Sequence, residues 1–202
     1  MNSVAQSVYN FWFGTNGLSL DTVKVQSKLW WKGSADIDYD IERRFGKLVE
    51  AAGKGAFTDW MEDAKSALAL IILHDQFPRN LYRGTAKAFN HDIQALECAK
   101  QLTNSALFEK LEPVEKAFAL MPFEHSEHIE DQKFCVAQFE LLAESAIPEW
   151  KDNLKAYHRF ALDHMEIIER FGRFPHRNQV LGRKPSEEEL NYLESGGRNF
   201  GQ

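Results

Sequence analysis

The chain is short of several things at once. It has two cysteines, Cys98 and Cys135, each inside an apolar stretch of helical spacing. No CxxC pair and no framework of paired spacings appears, which argues against a structural zinc site and a disulfide scaffold. No run approaches eighteen apolar residues, so no membrane span is expected. The opening "MNSVAQSVYNFWFG" lacks the basic start and long apolar run of a secretion signal, and a cytoplasmic location is the expectation. Positive charge is also in deficit. Lys and Arg total 24 against 30 Asp and Glu, a net charge of −6. A non-specific nucleic-acid binder carries the opposite balance, so nucleic acid is not an expected partner. GxGxxG, Walker and GxSxG patterns are missing, and no cofactor is expected. No segment alternates apolar and polar residues at the strand period.

What is present is apolar mass at helical spacing. Hydrophobic residues make up 44% of the chain and aromatics 12%, enough for a sizeable core. Val4, Val8, Phe11 and Trp12 mark a helix over 3–13, with Gly14 to end it. Residues 19–32 are ambiguous. Asp36 or Asp38 is a candidate cap for a helix to about Ala52. Residues 58–75 begin charged and end apolar nearly all round, the profile of a central buried helix, and Pro78 is expected to stop it. Further helices are expected over 85–103, 113–121, 126–145 and 148–171. A last one follows Ser186, with Glu189 in capping-box spacing. The fold expected is all-α: antiparallel helical hairpins, either a tetratricopeptide-like stack or a bundle, in one domain over 1–202.

Two turns stand out. "HDQFPRNLYRG" at 74–84 and "RFGRFPHRNQVLGR" at 170–183 share Phe-Pro followed by Arg-Asn, each after a long apolar helix. From Gln76 to His91 there are three basic residues and no acid, and from Arg170 to Lys184 five and none, against the average of the chain. A structural role accounts for much of this: Pro ends a helix, Arg satisfies terminal carbonyls, and Asn tolerates a left-handed residue. The functional alternative needs the turns to meet. Arg79, Arg83, Arg173, Arg177 and Arg183 on one cleft would repel one another unless acids or a bound anion compensate. Asn80, His176 and Asn178 would add neutral donors.

The acids nearest in character lie in "MPFEHSEHIEDQ" at 121–132. Glu124 and Glu127 flank His125 and Ser126. Ser126 is placed as an N-cap for the helix that follows. His125 and His128 have a spacing that permits metal binding, but no further ligand pattern joins them, and no metal is expected. His164 falls on an apolar stripe, where a hydrogen-bonded core histidine is the ordinary reading.

These same stretches, with "LALIILHDQFPRNLYRGTAKAF", "MPFEHSE", "HRFALDHMEIIERFGRFPHRNQVLGR" and the N-terminal "VYNFWFG", resemble a bacterial family named only as a domain of unknown function, DUF924. The resemblance runs from the first helix to the closing "NFGQ". It implies an all-α, tetratricopeptide-like fold, and it implies no established activity, cofactor or substrate. The family's pattern more often has an acid where His128 stands, which weakens a metal role there.

Three functional readings remain open from the sequence. The first is a binding module whose pocket, lined by Arg79, Asn80, Arg83, Ser126, Arg173, His176, Arg177, Asn178 and Arg183, takes a small phosphate- or carboxylate-bearing molecule or peptide. The second is a hydrolase-type enzyme. There His125 or His176 is the acid or base, Glu124 or Glu127 its orienting carboxylate, and the arginines clamp an anionic substrate. The third is a structural scaffold in which the arginines pair with Glu124, Glu127 and Asp75. The sequence leaves the oligomeric state open.

Overall fold

A computed structural model describes residues 1–15 and 17–200. The end of the "NFGQ" stretch, Gly201 and Gln202, lies outside the described residues. Among the described residues the elements are helices and turns, with no strand. The helices are α1 (Ser3–Phe13), α2 (Leu20–Trp31), α3 (Ala35–Gly53), α4 (Ala64–Leu81), α5 (Asp92–Thr103), α6 (Pro113–Glu124), α7 (Ile129–Ser145), α8 (Lys151–Phe171) and α9 (Glu187–Glu194). Short 3-10 turns lie between some of them.

Local chemistry sets the boundaries. Ser19, Ser34, Asp63 and Ser186 each accept a hydrogen bond from an N–H of the first turn of α2, α3, α4 and α9. Ser34, not Asp36 or Asp38, is the cap of α3. The two aspartates sit inside its first turn, where negative charge faces the positive end of the helix dipole. The Ser186–Glu189 capping box forms as its spacing suggests. Gly14 and Gly172 close α1 and α8 with positive φ, a conformation a side chain would strain.

Helix α4 is the axis of the molecule. It packs against α1, α3, α5 and α6, and its residues from Ala67 to Pro78 are all buried. Its 18 residues begin only after a 3-10 turn at Thr58–Glu62, because Asp63 takes the cap position. The helix does not stop at Pro78. It continues to Leu81, so Arg79 and Asn80 are helical rather than turn residues. Proline removes one N–H there and crowds the carbonyl of His74. The Arg79 guanidinium donates to the neighbouring Asp75 carbonyl at 2.7 Å, which keeps that carbonyl satisfied near the interruption.

The main core joins α1 through α8. Trp12, Phe13, Phe77 and Phe118 are completely buried within it, and edge-to-face ring contacts link Trp12 to both Phe77 and Phe118. A smaller cluster of Ile167, Ile168 and Phe174 lies under the second Phe-Pro turn. α7 and α8 pack as a pair, and α8 also meets α6. This leaves a space between the ends of α2, α4, α6 and α8, and that space is the candidate site.

Candidate functional site

The cleft has a volume of about 870 Å³. Its lining mixes two chemistries. Gln76, Arg79, Asn80 and Arg83 come from α4 and the turn after it, Glu124 and His125 from the end of α6, and Asp163 and His164 from α8. Trp30, Trp31, Phe139, Tyr157, Phe160 and Phe200 supply an apolar remainder.

At the floor, His125 Nδ1 lies 2.7 Å from Asp75 Oδ1. Asp75 is 1% exposed. Burial would push its carboxyl upward, but Arg79, His125 and hydrogen bonds from His125 and Gln76 outweigh that and hold it well below the usual carboxylate range. Asp75 is therefore an anion and accepts the Nδ1 proton of a neutral His125, which fixes the tautomer and leaves the lone pair on Nε2. Burial, aided by the positive charge of Arg79, lowers the imidazole pKa below its ordinary value.

Glu124 is shifted the other way. Burial first, then the charges of Asp75 and Asp163, push its pKa up to about 8. The adjacent residues thus stand in inverted order near pH 7, with the carboxyl protonated and the imidazole not. His164 Nδ1 is 3.4 Å from Glu124 Oε1, within ion-pair distance. Burial also lowers the His164 pKa well below its ordinary value, so this is a contact between two neutral groups. His164 Nδ1 donates to the Phe160 carbonyl at 2.8 Å, the core role expected of it. The ring also faces the cleft, stacked on Phe200 with centroids 3.5 Å apart.

The two Phe-Pro stretches do meet. Arg79 holds Asp92 through Nη1 and Nη2 at 3.0 and 3.2 Å, and Arg177 reaches the same carboxylate at 3.5 Å. The excess of positive charge expected there is not found. Arg79 pairs with Asp75 and Asp92, Arg83 with Asp38, Arg173 with Glu189, Arg177 with Asp92 and Arg183 with Glu127. Three of these acids, Asp38, Asp92 and Glu189, lie far from the acidic turn in sequence, and Glu124 pairs with none of the arginines. The repulsion that would have required a bound anion is already neutralised within the chain.

The second stretch stands behind the site. Arg177 donates to the His125 carbonyl at 3.1 Å. Arg183 grips Glu127 with two bonds at 2.6 and 3.0 Å, and the Phe174 N–H donates to the same carboxylate at 2.9 Å. Gln132, fully buried, donates to the carbonyls of Glu124 and Ser126 at 2.6 and 2.7 Å. The "EHSE" turn is thus clamped from several sides. Ser126 does not cap α7. His128 occupies that position, and Ser126 Oγ instead donates to Asp131 at 2.7 Å and accepts from the His128 N–H.

Of the residues singled out in the sequence, Arg79, Asn80, Arg83, Glu124 and His125 line the cleft. Ser126, Glu127, Arg173, His176, Arg177, Asn178 and Arg183 lie outside its lining. His176 packs its ring near Phe174 and Phe200, and burial, reinforced by Arg177, lowers its pKa to about 4. Asn178 is buried, and Arg173 pairs with Glu189 beside α9. Asp75 was legible only as an arginine partner, because nothing in the sequence joins it to a histidine fifty positions away. Among the described residues, no group of three or more His, Cys, Asp or Glu side chains is placed to hold a metal ion. No helix among them is long and apolar enough to cross a membrane.

The family model described as "Bacterial protein of unknown function (DUF924)" matches residues 8–197. The chain belongs to the DUF924 family. A solved structure of similar fold is the protein of unknown function ATU0120 from Agrobacterium tumefaciens. It is 32% identical, the match covers 96% of this chain and 98% of that one, and the TM-score is 0.82. No curated protein matches the chain. The DUF924 fold thus comes with no assigned chemistry, and the residues of the cleft carry whatever functional reading is made.

Proposed function

We propose that the cleft is the active site of a hydrolase-type enzyme acting on a small anionic molecule. The observation that carries this reading is the Asp75–His125 pair at 2.7 Å in the same cleft as a carboxyl, Glu124, that burial keeps protonated. His125 Nε2 takes a proton from water as the water oxygen bonds to the electrophilic centre. Glu124 gives its proton to the departing oxygen as that bond breaks. The proton then returns from His125 to Glu124, which restores both groups. Asp75 touches no substrate and orients the imidazole. The second turn, through Arg177 and Glu127, holds the backbone that carries both groups.

The anionic character of the ligand rests on Arg83. Its Nη2 reaches Asp38 only at 3.4 and 3.5 Å, the long limit of a hydrogen bond, and it has no other hydrogen bond to a described residue. Arg79, by contrast, is largely buried and held through Nη1 and Nη2 by its two aspartates. Arg83 is therefore the clamp on a substrate carboxylate or phosphate, with Asn80 beside it.

The reading is tested without knowing the substrate. Carbon-13 carboxyl NMR, assigned with Glu124→Gln, should find Glu124 titrating near 8. Nitrogen-15 spectra should find His125 neutral at pH 7 with its proton on Nδ1. A Glu124 that titrates in the ordinary carboxylate range beside a protonated His125 would remove both roles. A panel of aryl carboxylic and phosphate esters then supplies the turnover assay, with loss of activity in His125→Gln expected.

A further inference from the structure

The proposed chemistry uses only the floor of the cleft, and the mouth has its own composition. Three walls run from buried to exposed. On α4, Asp75 is buried, the Arg79 side chain is 10% exposed, and Arg83 just past the helix end is 43% exposed. On α8, His164 is buried, while Phe160 one turn earlier is 55% exposed. On α2, Trp30 is buried and donates its indole N–H to the Trp12 carbonyl at 2.9 Å, whereas Trp31 beside it is 52% exposed. The mouth is therefore framed by two half-uncovered aromatic rings and the most loosely held arginine of the site. Trp31 is backed on the protein side by Phe118, nearly parallel at 13°, and by Tyr157 at 6.2 Å. Its position is thus fixed by packing while much of its surface stays open. Large apolar surface left uncovered at the rim of a pocket marks a binding surface.

We propose, building on the reading of this cleft as a small-molecule site, that its substrates are aryl carboxylates. The ring lies against Trp31 and Phe160, the carboxylate sits on Arg83, and the opposite end of the molecule points down to His125. A monoanion fits better than a phosphate dianion, because Asp38 already shares the Arg83 guanidinium and the other cation of the mouth, Arg198, is already paired with Asp163 at 3.1 Å. The planar fork of a guanidinium matches a carboxylate, and flat rings stack on indole. From Asp75 to the end of α4 at Leu81 the helix rises about 9 Å, the reach of a bicyclic arene with its carboxylate.

The test uses three probes on the full chain at pH 7.5, read by isothermal titration calorimetry: 2-naphthoate, the neutral 2-naphthamide, and acetate. The wild type should bind 2-naphthoate at least tenfold more tightly than 2-naphthamide and show no saturation with acetate. Arg83→Gln should erase the preference for the carboxylate while leaving 2-naphthamide unchanged. Trp31→Ala should weaken both arenes at least fivefold. Unchanged melting of both variants excludes a folding defect, since both side chains are half exposed. Absence of 2-naphthoate binding, acetate binding equally well, or a Trp31→Ala protein that binds like the wild type would each overturn the proposal. Failure of the mouth is thus read from Arg83 and Trp31, and failure of the acid–base reading from the Glu124 titration, each independently of the other.

Discussion

The two Phe-Pro-Arg-Asn stretches share a sequence and differ in almost everything structural. The first is the last turn of a helix, and its Arg79 and Asn80 face the cleft. The second is a 3-10 turn at Pro175–Arg177, and its donors face the backbone of the "EHSE" turn. One supplies side chains to the site, and the other holds the segment that the site is built on. The difference shows in the charge each arginine carries into the fold. Burial opposes the Arg79 charge, but Asp75 and Asp92 outweigh it and raise its pKa. Burial and the nearby Arg79 win at Arg177, whose pKa falls to about 10 despite Asp92. The same residue type is thus stabilised as a cation in one corner and disfavoured in the other.

The largest expected effect follows from that contrast. Arg79→Met leaves Asp75 buried without a guanidinium and should cost about 3–5 kcal/mol in urea unfolding. Arg177→Met leaves Asp92 still held by Arg79. It loses one bond to a carbonyl and stacking between Phe89 and Phe174, and should cost about 1–2 kcal/mol. Equal losses in the two variants would erase the distinction between the corners.

Next in size is a pH dependence owed to the site side alone. Folded Glu124 keeps its proton to about pH 8, whereas in the unfolded chain it loses it near the ordinary 4.5. Between those values the unfolded state binds fewer protons. The stability linked to Glu124 is therefore complete below 4.5 and is lost as pH rises through 8. The buried histidines oppose this, because their lowered pKa values add stability as pH rises. They contribute equally to wild type and Glu124→Gln, so the stability difference between the two should move by about 2–4 kcal/mol against the wild type across that window. Asp75 works in the opposite direction, because its depressed pKa withdraws stability only on the acid side. A difference between wild type and Glu124→Gln that stays constant from about pH 5 to 8.5 would contradict the burial of a neutral Glu124.

On the supporting side, Glu127→Gln breaks the Arg183 fork and weakens the Phe174 N–H bond. It should lower stability by about 1–3 kcal/mol. It should leave the affinity of the cleft for 2-naphthoate within twofold, because Glu127 lines no part of it. A stable Glu127→Gln protein with altered affinity would place the second corner in the site after all.

Much of this architecture was legible in the sequence, and the part that was not has a common physical origin. The capping box at Ser186 and Glu189, the all-round apolar face of α4 and the glycine that ends α1 are local signals, set by periodicities and dihedrals that a few residues encode. The duplication of the two corners was legible, but their meeting was only a condition that the functional reading needed. Their neutralisation was legible only in part: Asp75 and Glu127 were named as arginine partners, but Asp38, Asp92 and Glu189 look like ordinary helix-start acids, and the fold alone brings them to the arginines. Pro78 misled for a related reason. Proline removes the N–H that would pair the His74 carbonyl, yet the helix runs on to Leu81 within a buried segment whose packing outweighs one lost bond. The Asp75–His125 contact joins residues on α4 and at the end of α6, which no short-range pattern connects.

The smallest effect on stability is the sharpest on function. Arg83 is the one arginine of the first corner that leans out of the protein, with a weak, half-exposed hold on Asp38. Exposed pairs of this kind contribute little, so Arg83→Gln should change unfolding free energy by no more than about 0.5 kcal/mol. Its consequence should appear only with an anionic ligand present. Thermal-shift measurements with and without 2-naphthoate separate the two. The wild type should gain several degrees with ligand, and Arg83→Gln should melt like the wild type alone and gain little. If Arg83→Gln loses stability comparable to Arg79→Met, the arginine is structural. The first corner would then differ from the second in geometry but not in kind.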